Sequence, residues 1–247
     1  MTATYVYGLV SSDTELPPDL SGLGPSGRVT TVTHQRVAAI VSDVPTDRPL
    51  GTRDDLIAHE RVLDTVAERT AVLPMRFPAV VEEAGVVKEL LAPHEERFVE
   101  ALSRLDGLVQ FTLKGRYVQD AALREIAEAD DEIMALRERV RDLPEDASYY
   151  DRIRLGELVV TAMEQLRDKE GRWVLEQLRP FATDVSTRQL AQPDEVVNAA
   201  FLVARDDAKR FDDAVDEVGR ALDGRVRFRL VGPLAPYDFV PEGRPWG

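Results

Sequence analysis

The chain has 247 residues and no cysteine, and its 45 acidic side chains outnumber its 31 lysines and arginines, giving a formal net charge of −14. Without cysteine it has no disulfide, thiolate metal ligand or cysteine nucleophile. The acidic balance argues against nucleic acid as a ligand, because that affinity comes from lysines and arginines that neutralise phosphates. No apolar run approaches the roughly 18 residues of a membrane helix, so we expect a cytoplasmic protein without a membrane span.

The first part of the chain predicts strands followed by a helix. Aromatic and β-branched residues predict an opening strand at Thr4–Val10, and two β-rich runs around His34-Gln35 predict a hairpin. A helix should follow from Thr52, whose side chain can cap its first turn, and run to about Arg69. We expect its apolar face to contain Leu56, His59, Leu63, Val66 and Ala67.

The run Val72–Val81, VLPMRFPAVV, lies between two predicted helices and is strongly apolar. Its two prolines exclude a regular helix, so it predicts a strand near the middle of the first domain. A helical region over Glu82–Gly107, broken at Pro93, and a strand over Leu108–Val118 follow. This order predicts an α+β domain of ferredoxin-like type over residues 1–118.

Residues 119–247 predict a second domain. Two charged segments over 119–180 carry apolar residues at helical spacing and predict a helical hairpin, either packed on a domain or exposed as an antiparallel coiled-coil arm. Residues 181–247 predict a small α+β sheet region that ends in an extended tail over Gly232–Val240. The predicted fold class is therefore α+β, with two ferredoxin-like sandwich domains and a coiled-coil-like helical hairpin between or within them.

The sequence offers no recognisable catalytic or metal-binding pattern. His59-Glu60 begins like the zinc motif H-E-x-x-H, but Leu63 stands where the second histidine belongs. Adjacent acidic pairs such as Asp130-Asp131 diverge by about 100° on a helix, so they do not converge on one reacting atom. We therefore predict no enzyme, no catalytic residue, no cofactor and no metal.

Arginine placement is the unusual feature. Arg76 lies inside an apolar run, and Arg225, Arg227 and Arg229 alternate along the last predicted strand. Like charges on one strand face repel unless carboxylates oppose them. The three are therefore either paired by acidic neighbours or form a basic stripe that binds a partner.

Several segments together resemble the gas vesicle protein family usually called GvpL/GvpF. In chain order they are YVYGLV at Tyr5–Val10, AAIVSDVP at Ala38–Pro45, VLPMRF at Val72–Phe77, NAAFLV at Asn198–Val203 and GPLAPYDFV at Gly232–Val240. The family's glycine after Arg-Phe is Pro78 here, and its terminal pair of prolines is Ala235-Pro236. Both departures concern local backbone geometry.

The resemblance implies a non-enzymatic accessory or minor structural protein. Such a protein binds the major shell protein and other accessory proteins during gas vesicle assembly, which places it in the cytoplasm and at the vesicle. Our candidate partner-binding residues are Arg76, Arg225, Arg227, Arg229, Tyr237 and Phe239. The alternative is a small-molecule-binding or regulatory module on a ferredoxin-like scaffold. Exposure of Leu136 and Val140 would favour a regulatory helical arm.

Overall fold

The computed structural model describes residues 3–23, 26–44, 48–144 and 147–240. Helices and two antiparallel sheets make up this part of the chain, so the predicted α+β class is confirmed. The ferredoxin-like topology of each domain stays a prediction. None of the helices among the described residues combines the length and apolarity needed to cross a lipid bilayer.

The first sheet is built around its opening strand. Its members are β1 (Ala3–Ser11), β2 (Thr30–His34), β3 (Val37–Asp43), β4 (Leu73–Pro74) and β5 (Val80–Glu82). The order is β2-β3-β1-β4, and β5 also pairs with β1. The predicted hairpin is confirmed: β2 and β3 pair antiparallel, and Gln35 has a positive φ of 48° in the turn between them.

The prediction of one strand over Val72–Val81 is wrong. Two short strands, β4 and β5, both pair antiparallel with β1. The residues between them stay fastened to β1, because Met75 N donates to Tyr7 O and Val6 N donates to Ala79 O, each at 2.9 Å. Prolines at both ends of this interval supply no N–H to a ladder, which explains why pairing is discontinuous while the segment remains in the core.

Helix α1 (Arg53–Ala67) begins as predicted. Thr52 is its N-cap, and its side chain forms a capping box with Asp55. The predicted apolar face needs one correction: Leu56 is 40% exposed, whereas Val62 is fully buried. Asp55 also occupies that buried side, because Arg48 and the backbone N of Thr52 donate to its carboxylate there. The helix is therefore rotated slightly from the face that spacing alone indicated.

The helical region after β5 is broken at the predicted proline. It consists of α2 (Glu83–Gly85), a π-helical stretch Val86–Leu91, a 3-10 turn Ala92–His94 and α3 (Glu95–Leu105). The buried face of α3 packs in a cluster with the inner side chains of β1, β3 and β4. The first sheet thus has α3 over one part of its apolar surface.

The second sheet has the order β7-β8-β6-β9. Its strands are β6 (Leu108–Tyr117), β7 (Asp184–Thr187), β8 (Glu195–Ala204) and β9 (Val226–Leu234). Strand β8 is buried along most of its length. Strand β9 therefore lies at one end of this sheet, beside β6.

Four further α-helices lie among the described residues after β6. They are α4 (Gln119–Ala129), α5 (Asp131–Asp142), α6 (Tyr149–Leu178) and α7 (Ala208–Ala221). The first segment of the predicted helical hairpin is divided into two helices, because Asp130 ends α4 and caps α5: its Oδ1 accepts from the backbone N of Glu132 and Ile133. Leu136 is only 4% exposed, so α5 packs as the helical-hairpin alternative requires. The coiled-coil geometry stays a prediction.

The chain folds into two compact units that are not continuous in sequence. Unit 1 comprises Met1–Phe111, Leu202–Ala208 and Val231–Gly247, and unit 2 comprises Thr112–Phe201 and Lys209–Leu230. The predicted division after residue 118 stays a prediction. The predicted extended tail needs correction, since its start completes β9 and Tyr237–Phe239 forms a 3-10 turn.

Candidate functional site

Two of the predicted arginines lie on the exposed face of β9. Arg227 and Arg229 are both exposed, and the residues that alternate with them, Val226, Phe228 and Leu230, are buried or half-buried. This is the alternation expected of a strand with one covered face. The structure therefore brings Arg227 and Arg229 together, as their spacing predicted.

The neighbouring strand β6 adds two cations that sequence reasoning missed. Lys114 and Arg116 are exposed and alternate along β6 in the same way. They line one open depression of about 670 Å³ together with Arg227 and Arg229. We call these four side chains the cationic face. The signal in the sequence was the spacing Lys-x-Arg at 114–116, which matches Arg-x-Arg at 227–229, but only the strand order shows that they are adjacent.

Only part of this positive charge is neutralised within unit 2. Arg116 Nη2 lies 2.9 Å from Glu195 Oε1, and its Nη1 lies 4.0 Å from Asp194 Oδ2. The backbone N–H of Ala191, assisted by Arg116, lowers the pKa of Glu195 below its usual value, so this carboxylate stays ionised. Among the described residues, the other three cations have no carboxylate within 4 Å. The cationic face can therefore bind anionic groups.

Arg225 has a different environment from the two arginines that follow it. It precedes β9, and its Nη1 lies 2.6 Å from both carboxylate oxygens of Glu125, while its Nη2 lies 2.7 Å from Glu170 Oε1. The hydrogen bonds to Glu125 raise the pKa of Arg225 above its usual value. Here the pairing alternative applies: Arg225 joins α4 and α6 to the start of β9.

Arg76 lies in unit 1, in the interval between β4 and β5. Its side chain is exposed, whereas the preceding Met75 is buried. Within the described ranges it has no ion-pair partner within 4 Å. The apolar run therefore accommodates this charge by turning it outward, and a role in partner binding stays a prediction.

Tyr237 and Phe239 are the two aromatic members of the predicted set, and both are half-buried. Tyr237 packs against the cluster that contains Tyr5 and Tyr7, and Phe239 packs against the cluster that contains Phe98. Their first identifiable role is thus to hold the C-terminal segment on unit 1.

Hydrogen bonds before and between these two aromatic residues support the same role. Ala235 N donates to Asp64 Oδ1 at 2.8 Å. Asp238 N donates to Gln110 Oε1 at 3.0 Å, and Gln110 Nε2 donates back to Asp238 Oδ2 at 2.6 Å. Three hydrogen bonds, together with packing, therefore hold the C-terminal segment on unit 1.

The buried histidine is part of the core of unit 1. His59 is 1% exposed, and its Nε2 lies 3.1 Å from the carbonyl oxygen of Met75 while its Nδ1 lies 2.9 Å from Tyr5 Oη. A carbonyl only accepts, so Nε2–H donates to Met75 and Nδ1 accepts from Tyr5. Burial lowers the pKa of His59 to about 4, so the ring is neutral at physiological pH. Both ring nitrogens are used by the fold.

Comparison with known proteins gives a consistent result over the whole length. The family model for gas vesicle synthesis protein GvpL/GvpF matches residues 3–241. Gas vesicle protein F of Streptomyces sp. (strain CB03234) is 34% identical over 244 residues, covering 96% of this chain and 99% of the relative. Gas vesicle protein L of the same organism is 29% identical over 265 residues, covering 96% and 92%.

Two crystal structures share the fold. The gas vesicle protein GvpF from Anabaena sp. PCC7120 aligns with a TM-score of 0.79 at 23% identity, covering 99% of this chain and 98% of that one. GvpF from Microcystis aeruginosa aligns with a TM-score of 0.77 at 22% identity, covering 98% and 100%. These likenesses establish the fold of the chain.

Proposed function

The chain belongs to the GvpL/GvpF family of gas vesicle synthesis proteins, and on that premise we propose that it is a non-enzymatic accessory or minor structural protein of gas vesicle assembly. It binds the major shell protein and other accessory proteins, and it acts in the cytoplasm and at the growing vesicle. The proposal rests above all on the family match over residues 3–241, together with a 34% identical relative that carries the name gas vesicle protein F.

A physical reason for such a protein lies in the shell subunit. A small protein with a hydrophobic face aggregates in water unless a partner covers that face. A partner with a net charge of −14 keeps the resulting complex dispersed by electrostatic repulsion. Binding before incorporation therefore protects the shell subunit and delivers it in a usable form.

Two titratable groups with lowered pKa values serve the fold, which fits a binding protein. His59 is buried and uses both ring nitrogens in the core. The carboxylate of Asp55 accepts from Arg48 and from the backbone at the start of α1, and Arg48 is the first cause of its lowered pKa. Burial and contacts within the fold therefore explain both lowered pKa values.

The packed α4–α6 helices bear on the alternative of a regulatory arm. That alternative expects exposure of Leu136 and Val140, but Leu136 is 4% exposed and Val140 is half-buried. These positions support packing of the helices within unit 2. The assembly proposal is therefore the one we develop.

Vesicle formation in a host that carries a complete gas vesicle gene set tests the proposal. We expect deletion of the gene for this chain to abolish or strongly reduce vesicles counted by electron microscopy, and its return on a plasmid to restore them. Unchanged vesicle number and shape in the deletion strain would reject the proposal. A second strain that expresses an unrelated acidic protein from the same plasmid controls for net charge.

A further inference from the structure

We propose that the cationic face and the free edge of β9 form a docking site for an extended acidic segment of a partner protein. The segment adds to the sheet as a further strand beside β9, with acidic and apolar side chains alternating along it. This deepens the proposed function, because it assigns a surface and a ligand chemistry to one partner contact.

Charge is the first reason. The whole chain carries 14 more negative than positive charges, yet Lys114, Arg116, Arg227 and Arg229 line one depression. Among the described residues that line it, one carboxylate faces these four cations, that of Asp194, and Glu195 pairs with Arg116 beside it. Like charges on neighbouring strands destabilise a sheet. Carboxylates of a bound segment would relieve that repulsion. The cationic face should therefore bind acidic ligands better than neutral ones.

Spacing is the second reason. Arg227 and Arg229 are two residues apart on one strand, which separates them by about 6.5 to 7 Å. Acidic side chains at every second position of an extended peptide have the same separation. One such peptide can therefore place consecutive carboxylates against consecutive arginines.

The sheet edge is the third reason. Strand β9 stands last in the order β7-β8-β6-β9, so among the described strands only β6 pairs with it. Its other side presents main-chain donors and acceptors, which is the arrangement that binds extended peptides by strand addition. Main-chain hydrogen bonds would supply affinity, and the flanking side chains would select the sequence.

A groove on the opposite side of the edge completes the site. It has a volume of about 590 Å³ and lies between α7 and β9. Val215, Val226, Phe228 and Leu230 give it apolar walls, and the position above Gly219 is open. Charged side chains line it as well: Asp212, Asp216, Asp223, Arg220 and Arg227. The three aspartates would repel carboxylates of the segment, so only its uncharged residues suit this side. Residues of a bound strand that point away from the arginines would enter this groove. The alternation of acidic and apolar residues follows from these two different sides.

Arginines on an edge strand also have a simpler explanation, because charge at an exposed edge prevents edge-to-edge aggregation. The two explanations differ in what they predict for a ligand. An edge whose charge serves only to prevent aggregation binds no peptide saturably. With glutamates in place of its arginines, such an edge would still be charged and would still resist aggregation.

The test uses the full-length purified protein and a fluorescein-labelled peptide of eight alternating valine and glutamate residues. We expect saturable binding by fluorescence anisotropy, weakening as salt is raised. The double variant Arg227→Glu/Arg229→Glu should weaken binding at least about tenfold, since each change replaces an attraction with a repulsion. The milder Arg227→Gln/Arg229→Gln serves if the first variant does not fold.

The matched control is Arg124→Glu/Arg137→Glu, which makes the same change in net charge at two exposed positions of unit 2 on α4 and α5. Its binding should equal that of the unmodified protein. Equal weakening by both double variants would overturn the proposal in favour of a general charge effect. Absence of saturable binding would also overturn it.

Two ligand controls test strand addition and the protein nature of the ligand separately. A peptide N-methylated at alternate positions cannot donate along one edge and should bind at least tenfold more weakly; equal binding would overturn strand addition. Inorganic polyphosphate that competes as well as the peptide would overturn the assignment of a protein segment. Because these measurements need no vesicles, their failure is distinguishable from failure of the assembly function.

Discussion

At the scale of single residues, the buried His59 and the half-buried Asp64 of unit 1 respond to acid in opposite directions. Burial lowers the pKa of His59 to about 4, so below about pH 6.5 the unfolded chain takes up this proton first and acid destabilises the fold. Burial raises the pKa of Asp64 to about 6, so between about pH 6 and 4 the folded chain takes up this proton first and acid stabilises the fold. The two effects partly cancel in the native protein.

Replacing one of these two groups should reveal the pH dependence that the other gives to the free energy of unfolding. Asp64→Asn keeps an oxygen that accepts from Ala235 N and removes the half-buried charge. We expect this variant to be more stable than the native protein at pH 7, with an advantage that shrinks by roughly 1 to 2 kcal/mol by pH 5. Urea unfolding at several pH values measures it. The variant His59→Gln, which keeps Asp64, should gain stability on acidification. If the free energy of unfolding changed with pH in the same way for all three proteins, the roles given to His59 and Asp64 would be contradicted.

Two glycines of unit 2 make a matched pair. A Cβ on Gly115 would lie 2.8 Å from the Phe228 ring and 2.9 Å from Val197, whereas a Cβ on Gly156 in α6 meets nothing within 4 Å. We expect Gly115→Ala to lower the free energy of unfolding by about 1 to 3 kcal/mol through overpacking. Gly156→Ala should raise it by roughly 0.5 to 1 kcal/mol, because alanine favours a helix. Chemical denaturation of both variants decides, and equal effects would show that Gly115 is not a packing position.

At the scale of elements, the C-terminal segment is held by an aromatic side chain whose hydroxyl does not contribute. Tyr237 packs on the core of unit 1, and its Oη is buried without a hydrogen-bond partner among the described residues. Burial raises the pKa of this phenol above its usual value, so it stays neutral.

This geometry separates packing from hydrogen bonding at one position. We expect Tyr237→Phe to keep or slightly raise the free energy of unfolding, because it removes an unsatisfied buried polar atom. Tyr237→Ala should lower it by about 2 to 4 kcal/mol through loss of packing. Thermal or urea unfolding gives both values. A loss with Tyr237→Phe as large as with alanine would show that the hydroxyl is what holds the segment.

The elements that sequence reasoning found are those with local causes. Thr52 and Asp55 lie three residues apart and define the start of α1, and the proline at position 93 breaks the following helical region. Where contacts are distant in the chain, local reasoning failed. The division of Val72–Val81 into β4 and β5 depends on pairing with β1, about 70 residues away in sequence.

The candidate site shows the same limit. The alternation of Arg227 and Arg229 was visible in the sequence, but Lys114 and Arg116 join them only because β6 lies beside β9 in the sheet. Arg225 continues the same alternation in the sequence, yet two carboxylates from distant helices neutralise it. Spacing predicts which residues share a strand face, whereas strand order and helix packing decide which charges stay unpaired.

At the scale of the whole molecule, motif order along the chain predicted the family, and the match over residues 3–241 confirms it. Motif order did not predict which segments of the chain belong to each of the two compact units. Residues 202–208 and the segment after residue 230 belong with the first 111 residues. Such a division arises from contacts between distant parts of the chain, which no local pattern records.

We propose that this chain binds the gas vesicle shell protein. Co-purification tests it most directly: an affinity-tagged copy of the chain and the untagged major shell protein are expressed together, and the washed eluate is probed for the shell protein. We predict that the shell protein is retained by this chain and not by a tagged acidic protein of similar size. A shell protein recovered entirely in the unbound fraction, with this chain folded and fully retained, would contradict the account.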